Sequence, residues 1–249
     1  MKRFPVAEIF GPTIQGEGAL QGIPAYFLRF GGCDYRCEWC DSPHAVLPHA
    51  VRANQRMSAD DICDTLRGLP LGPRWIVITG GNPVLHDLSD VLSDLHDMGY
   101  RIAIETQGSK YKPWLESCES ICVSPKPPSA GLTMSVVEAN LDRFCDRFDT
   151  HDPRVFFKIV VFDQGDYEWA RSVHHRFKWI QMFLSAGNDA GRTVANPDRV
   201  DERTLEQIQR DLLSRARWLT NRTMVDPGMQ NARVQTQQHV LLWGNERGH

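Results

Sequence analysis

Three cysteines fall within eight residues of this 249-residue chain, in Gly31-Gly32-Cys33-Asp34-Tyr35-Arg36-Cys37-Glu38-Trp39-Cys40-Asp41. The spacing C-x3-C-x2-C puts three thiolates on one tight loop. Each can bind one iron of a cubane cluster, which leaves the fourth iron open to a substrate or cofactor. Electron-transfer clusters usually close all four positions with cysteine. Zinc held by the three cysteines and His44 is the alternative that the spacing leaves open. It lacks a second knuckle, and Pro43 separates His44 from the loop. The other four cysteines, Cys63, Cys118, Cys122 and Cys145, sit among apolar residues and read as packing groups.

Composition narrows the setting. There are 28 basic and 31 acidic side chains, a net charge of −3, and 41% of residues are hydrophobic. Such a chain is neither polycationic enough for nucleic acid or anionic lipid nor polar enough for wholesale disorder. The longest apolar run, Val155 to Phe162, is interrupted by Lys158, so no segment is expected to span a bilayer. Met1-Lys2-Arg3-Phe4-Pro5 does not open a signal peptide. The expectation is a cytoplasmic protein whose partner is a small molecule, with no nucleic acid and no membrane.

The elements that would position the cysteines follow a rhythm of β-rich runs and helical patterns. Strands are expected over Val6–Phe10, Ala25–Phe30, Trp75–Thr79, Tyr100–Glu105, Ser120–Ser124, Val155–Phe162 and Lys178–Leu184. Ser58 reads as the N-cap of a helix running toward Leu66. Further helices are expected over His86–Met98, with Gly99 closing it, and over Met134–Phe148, Tyr167–His175 and Arg203–Trp218. Strands alternating with helices imply βαβ units and a parallel sheet. The fold class is α/β: one domain, residues 1–249, built as an open, partial parallel β/α barrel. Chemistry in such folds gathers at the carboxyl ends of the strands, where Thr79, Glu105, Ser124 and Lys126 fall. Residues 187–201 read only as a Gly/Pro/Asn-rich loop.

At the cysteine loop, residues 31–43, the chain resembles the radical S-adenosylmethionine superfamily, whose signature is C-x3-C-x2-C with an aromatic before the last cysteine. Trp39 fills that place, and the resemblance implies that it packs near the adenine. Gly80-Gly81-Asn82-Pro83 resembles the motif that receives the methionine amino group, with Asn82 where the family usually has Glu. Glu105, in Ile104-Glu105-Thr106-Gln107-Gly108, matches the strand residue that bonds the ribose hydroxyls. Ser124-Pro125-Lys126 resembles a segment that helps to hold the cofactor.

Within that superfamily, the N-terminal run Ile14-Gln15-Gly16-Glu17-Gly18, then Gly22-Ile23-Pro24 and the strand residue Arg29, resembles the 7-carboxy-7-deazaguanine synthase family. Cys40-Asp41-Ser42 stands where that family shows Cys-Asp-Thr. Gln237-Gln238-His239 resembles its closing segment, here residues 234–249. The resemblance implies conversion of 6-carboxy-5,6,7,8-tetrahydropterin to 7-carboxy-7-deazaguanine with loss of ammonia, a precursor step for queuosine and other 7-deazapurines. It implies a 4Fe-4S cluster on Cys33, Cys37 and Cys40, S-adenosylmethionine cleaved to a 5′-deoxyadenosyl radical, and Mg2+ at Ser42. It also implies a flavodoxin or ferredoxin as electron donor, and a homodimer. Glu17 would accept the N–H and NH2 pair of the pterin edge, and Arg29 would pair with the substrate carboxylate through its planar fork. Gln15, Thr79, Gly81 and His239 are the further substrate contacts carried over. Two alternatives remain: a glycyl-radical activase with the same cluster, and a zinc-stabilised binding module.

Overall fold

The computed structural model describes residues 2–148, 152–189 and 193–249, so residues 190–192 of the expected loop lie outside the described residues. The sheet has nine strands: β1 (Phe4–Ile14), β2 (Pro24–Phe30), β3 (Gln55–Met57), β4 (Trp75–Gly80), β5 (Arg101–Thr106), β6 (Ser120–Val123), β7 (Val155–Val161), β8 (Gln181–Ala186) and β9 (Arg233–Gln235). Their order is β3-β1-β2-β4-β5-β6-β7-β8-β9, open at both ends. From β2 through β9 every pairing is parallel. The helices are α1 (Pro43–Val46), α2 (Pro48–Ala53), α3 (Ala59–Arg67), α4 (Ser89–Asp97), α5 (Met134–Cys145), α6 (Gln164–Arg176), α7 (Leu205–Met224) and α8 (Gln238–Trp243). No described helix is long and apolar enough to cross a membrane.

The expected open β/α architecture is present, with one correction: β1 runs antiparallel to β2 and β3. Residues 15–23 make a loop too short for a crossover, so the two strands form a hairpin. The strands β3 and β9 were not anticipated; at three residues each they carry no readable alternation. The helix expected from His86 starts at Ser89, because a turn at Pro83–Leu85 precedes it and Asp87 accepts from the Ser89 hydroxyl at 2.7 Å.

Alternation along the parallel strands separates two environments. In β7, Phe157, Ile159 and Val161 join the main core under the helices, whereas Phe156 packs with Cys122 and Phe183 on the opposite face. Ala25, Phe27, Val77 and Ala103 form a second small cluster. Two residues further along the same strands come Arg29, Thr79, Glu105, Ser124, Lys158 and Ser185. One face of the sheet is therefore apolar toward its amino ends and polar toward its carboxyl ends. Cys63, Cys118 and Cys145 are buried in the main core and Cys122 in the inner cluster, as packing residues would be.

Candidate active site

The polar rim encloses a cavity of about 220 Å³ at the carboxyl ends of the strands. Its wall brings together the three cysteines with Trp39, Gly80, Gly81, Glu105, Ser124 and Lys126. Gln15, Glu17, Arg29, Ser42, Thr79 and His239 complete it. Asn82 is the exception among the residues singled out from sequence. It is fully buried behind the wall, where its Oδ1 accepts from Thr106 at 3.0 Å and its Nδ2 donates to Asp34 and Ser109, each at 2.9 Å. It props the turn between β4 and the cysteine loop and has no oxygen left facing the cavity.

The cysteine loop is pinned to that turn. Gly81 N–H donates to the Phe30 carbonyl at 3.0 Å, and Asn82 N–H to the Gly32 carbonyl at 2.7 Å. A Cβ on Gly81 would collide with the Gly32 carbonyl oxygen, so only glycine permits this approach. All three cysteines are free thiols. Burial pushes their pKa values up, to about 11 at Cys37 and about 12 at Cys40, where Asp41 adds to the rise. They become ligands only as a metal displaces their protons. Three thiols on one cavity wall fit a cubane with one open iron. His44 is turned toward Glu8, with its Nε2 3.2 Å from Glu8 Oε1, and does not line the cavity that the three cysteines share. Beside the cysteines, Trp39 donates to Ser129 at 3.0 Å and packs on Phe162 with ring centroids 5.2 Å apart. Lys126 donates to Ser124 at 2.9 Å.

At the other side of the cavity lies a charged network. Lys158 Nζ donates to Glu17 Oε2 at 2.8 Å and lies 3.5 Å from Glu105 Oε1. Glu105 also accepts from Gln15 at 3.2 Å and from Thr79 at 3.0 Å. Burial alone would raise the Glu17 carboxyl, but the adjacent Lys158 ammonium outweighs it and holds the group at about 2. Glu17 Oε1 is buried and has no hydrogen-bond partner. A Cβ on Gly16 would strike the His239 ring, so glycine lets the Glu17 loop pass beneath α8. Burial lowers the His239 pKa, which keeps the ring neutral near pH 7.

Arg29 stands between this network and a second cavity of about 500 Å³ outside it. Its Nε donates to Glu8 at 2.7 Å and its Nη1 to Ser42 Oγ at 3.2 Å, while Ser42 donates to Asp41 at 3.0 Å. Glu8 also receives Arg247 at 2.9 Å, and the outer cavity is walled by the C-terminal tail together with Asn188, Arg199, Asp201 and Arg203. Of these, Asn188, Arg199 and Asp201 come from residues 187–201, whose sequence reads only as a loop. Glu8, Asp41, Gln107 and Lys158 were also missed. Lys158, a lone charge inside an apolar strand, was the one with a visible signal.

No family model matches the chain. Among curated proteins, it is 39% identical to a 7-carboxy-7-deazaguanine synthase of Bacillus cereus over the whole of both chains. It is 36% identical to that of Bacillus subtilis over 99% of each. Among solved structures it resembles the crystal structure of QueE from Escherichia coli, with a TM-score of 0.62 and 22% identity over 95% of each chain. The Streptococcus suis SuiB structure, at a TM-score of 0.52 and 15% identity over 84% of this chain and 48% of that one, shares only the fold. Identity of 36–39% to curated enzymes over essentially their full length leads to one assignment: the chain belongs to the 7-carboxy-7-deazaguanine synthase family.

Proposed function

We propose that this protein converts 6-carboxy-5,6,7,8-tetrahydropterin to 7-carboxy-7-deazaguanine with release of ammonia, as a radical S-adenosylmethionine enzyme. The observation that carries the assignment of substrate to cavity is Glu17. It is an ionised carboxylate, buried in the wall of the cavity that the cysteines also line, with one oxygen that has no hydrogen-bond partner and the likewise unpaired Ser185 hydroxyl nearby. A buried acceptor of that kind costs stability unless a ligand satisfies it, and the pterin edge supplies adjacent N–H and NH2 donors. Arg29, already aligned by Glu8 and Ser42, would pair with the substrate carboxylate. Gln15, Thr79, Gly81 and His239 are the remaining contacts in this reading.

The cofactor would lie between Trp39, Gly80, Gly81, Glu105, Ser124 and Lys126, with Asn82 supporting from behind. Cys33, Cys37 and Cys40 would hold the 4Fe-4S cluster. When bound, the cluster and S-adenosylmethionine supply the one-electron chemistry that removes a substrate hydrogen. Glu17 and Arg29 would hold the pterin by its amidine edge and its carboxylate within the cavity that the cysteines also line. Mg2+ belongs to the reading at Ser42, whose hydroxyl and the adjacent Asp41 carboxylate are hard oxygen donors suited to a mostly hydrated magnesium ion. A flavodoxin or ferredoxin as reductant and a homodimer complete it. Neither the activase nor the zinc module is favoured by relatives that are synthases over their whole length.

The test is direct assay. Anaerobically reconstituted protein with reductant, Mg2+ and S-adenosylmethionine should convert the carboxy-tetrahydropterin to the deazaguanine. An intact cluster without product formation would refute the assignment.

A further inference from the structure

We propose that Lys158 is a positioning residue that couples the pterin half of the site to the cofactor half by holding Glu17 and Glu105 together. This rests on the function proposed above and adds a residue that neither the motifs nor that reading assigns.

Lys158 sits in the middle of β7, and its side chain is 9% exposed. Lysine is almost never this buried without a counter-charge. Here it has two, from elements far apart in the chain: Glu17 in the loop after β1 and Glu105 on β5. The bridge continues on both sides. Gln15 donates to Glu105 through its amide while its Oε1 accepts from the Glu17 backbone at 3.2 Å, and Thr79 fixes the second Glu105 oxygen. Gln15, Glu17 and Thr79, read as pterin contacts, and Glu105, read as the ribose contact, thus form one connected network around the Lys158 ammonium.

That cation has two effects. It makes two carboxylates compatible, Glu17 buried and Glu105 partly buried, since each has the same ammonium as counter-charge where like charges alone would favour a proton on one of them. It also occupies Glu17 Oε2, which orients the carboxylate so that Oε1 is the free acceptor. The other groups facing the pair are Cys122 from β6, a thiol that burial keeps protonated, neutral His239 from α8, and the Ser185 hydroxyl from β8. Cys122 and Ser185 cannot supply a positive charge, and burial works against a proton on His239.

The experiment compares wild-type holoenzyme with Lys158→Met, Lys158→Arg and the double variant Glu17→Gln/Lys158→Met, all matched for iron content. Lys158→Met should raise the KM for the carboxy-tetrahydropterin and for S-adenosylmethionine together, each by about tenfold or more. It should also move the acid limb of kcat/KM upward by about one pH unit or more. Lys158→Arg should restore the position of the acid limb. In the Glu17→Gln background, Lys158→Met should add less than about threefold to the pterin KM, because the charge it serves is gone. This comparison remains informative if Lys158→Met alone does not fold. An unmoved acid limb with unchanged KM values in Lys158→Met would overturn the proposal. So would a further tenfold loss in the Glu17→Gln background. Absence of turnover in the wild-type protein would instead overturn the reading of the whole site.

Discussion

The side chains that carry the chemistry are common ones, and their surroundings set what they do. Glu17→Gln keeps the shape and removes the charge, so it should leave iron content intact and raise the pterin KM by roughly 10- to 100-fold, the worth of one charged hydrogen bond. Steady-state kinetics on reconstituted protein checks this, and an unchanged KM would exclude Glu17 from the pterin contact. Arg29→Lys tests geometry at constant charge. The guanidinium now serves Glu8 and Ser42 at once, and an ammonium cannot keep both and also grip a carboxylate in a fork. The expected result is a pterin KM raised about tenfold or more with a smaller change in kcat. Glu17 and Arg29 were legible only through their motif neighbours, since a glycine-flanked Glu and a strand Arg are ordinary features. Lys158 was readable in another way, as a charge within Val155–Val161, but its partners lie 141 and 53 positions away and no local pattern reveals them. Asn82 shows the opposite case. The motif placed it correctly beside the cysteine loop, whereas its side-chain direction depends on Thr106 and Asp34.

Among the elements, those with long periodic patterns were legible and those made by tertiary contact were not. Strands β4, β5 and β7 fall within a residue or two of their expected bounds because short, nearly continuous apolar runs bounded by turns define them locally. Helix α3 is set by its capping box, in which the Asp61 N–H donates to Ser58 Oγ at 3.2 Å and Ser58 N–H to the Asp61 carboxylate at 2.8 Å. Ser58→Ala should cost about 1 kcal/mol of stability, read as a lower urea midpoint. The antiparallel β1–β2 hairpin and the short strands β3 and β9 depend on partners distant in sequence. The turn after β4 is where an element meets the site. Gly81→Ala would push a methyl group into the Gly32 carbonyl and lift the cysteine loop away. The expected outcome is a reconstituted protein with markedly less iron and sulfide per chain, measured by metal analysis, and full iron loading would show that the loop is not held by this contact.

For the molecule as a whole, the near-neutral charge is consistent with substrate recognition by a few local groups: one arginine, one ionised glutamate and their buried partners. The same groups predict the behaviour in acid. Glu17 is held at about 2 and Glu8 well below the ordinary carboxyl range, the latter despite burial because His44, Arg29 and Arg247 surround it. A carboxyl with a depressed folded pKa contributes stability that is fully present above its unfolded value, about 4.3. That stability is lost as pH falls toward the folded value. Urea unfolding should therefore show a falling midpoint from about pH 4.5 to about pH 2, and a smaller fall in Glu17→Gln. A pH-independent midpoint over that range would contradict the charge network. The central claim, that this cavity carries out a radical ring contraction, is tested most directly by one anaerobic assay of reconstituted protein holding about four irons per chain. With reductant, Mg2+, S-adenosylmethionine and 6-carboxy-5,6,7,8-tetrahydropterin, the account predicts equimolar 7-carboxy-7-deazaguanine and ammonia without net consumption of S-adenosylmethionine, whereas a fully loaded cluster that yields neither product would contradict it.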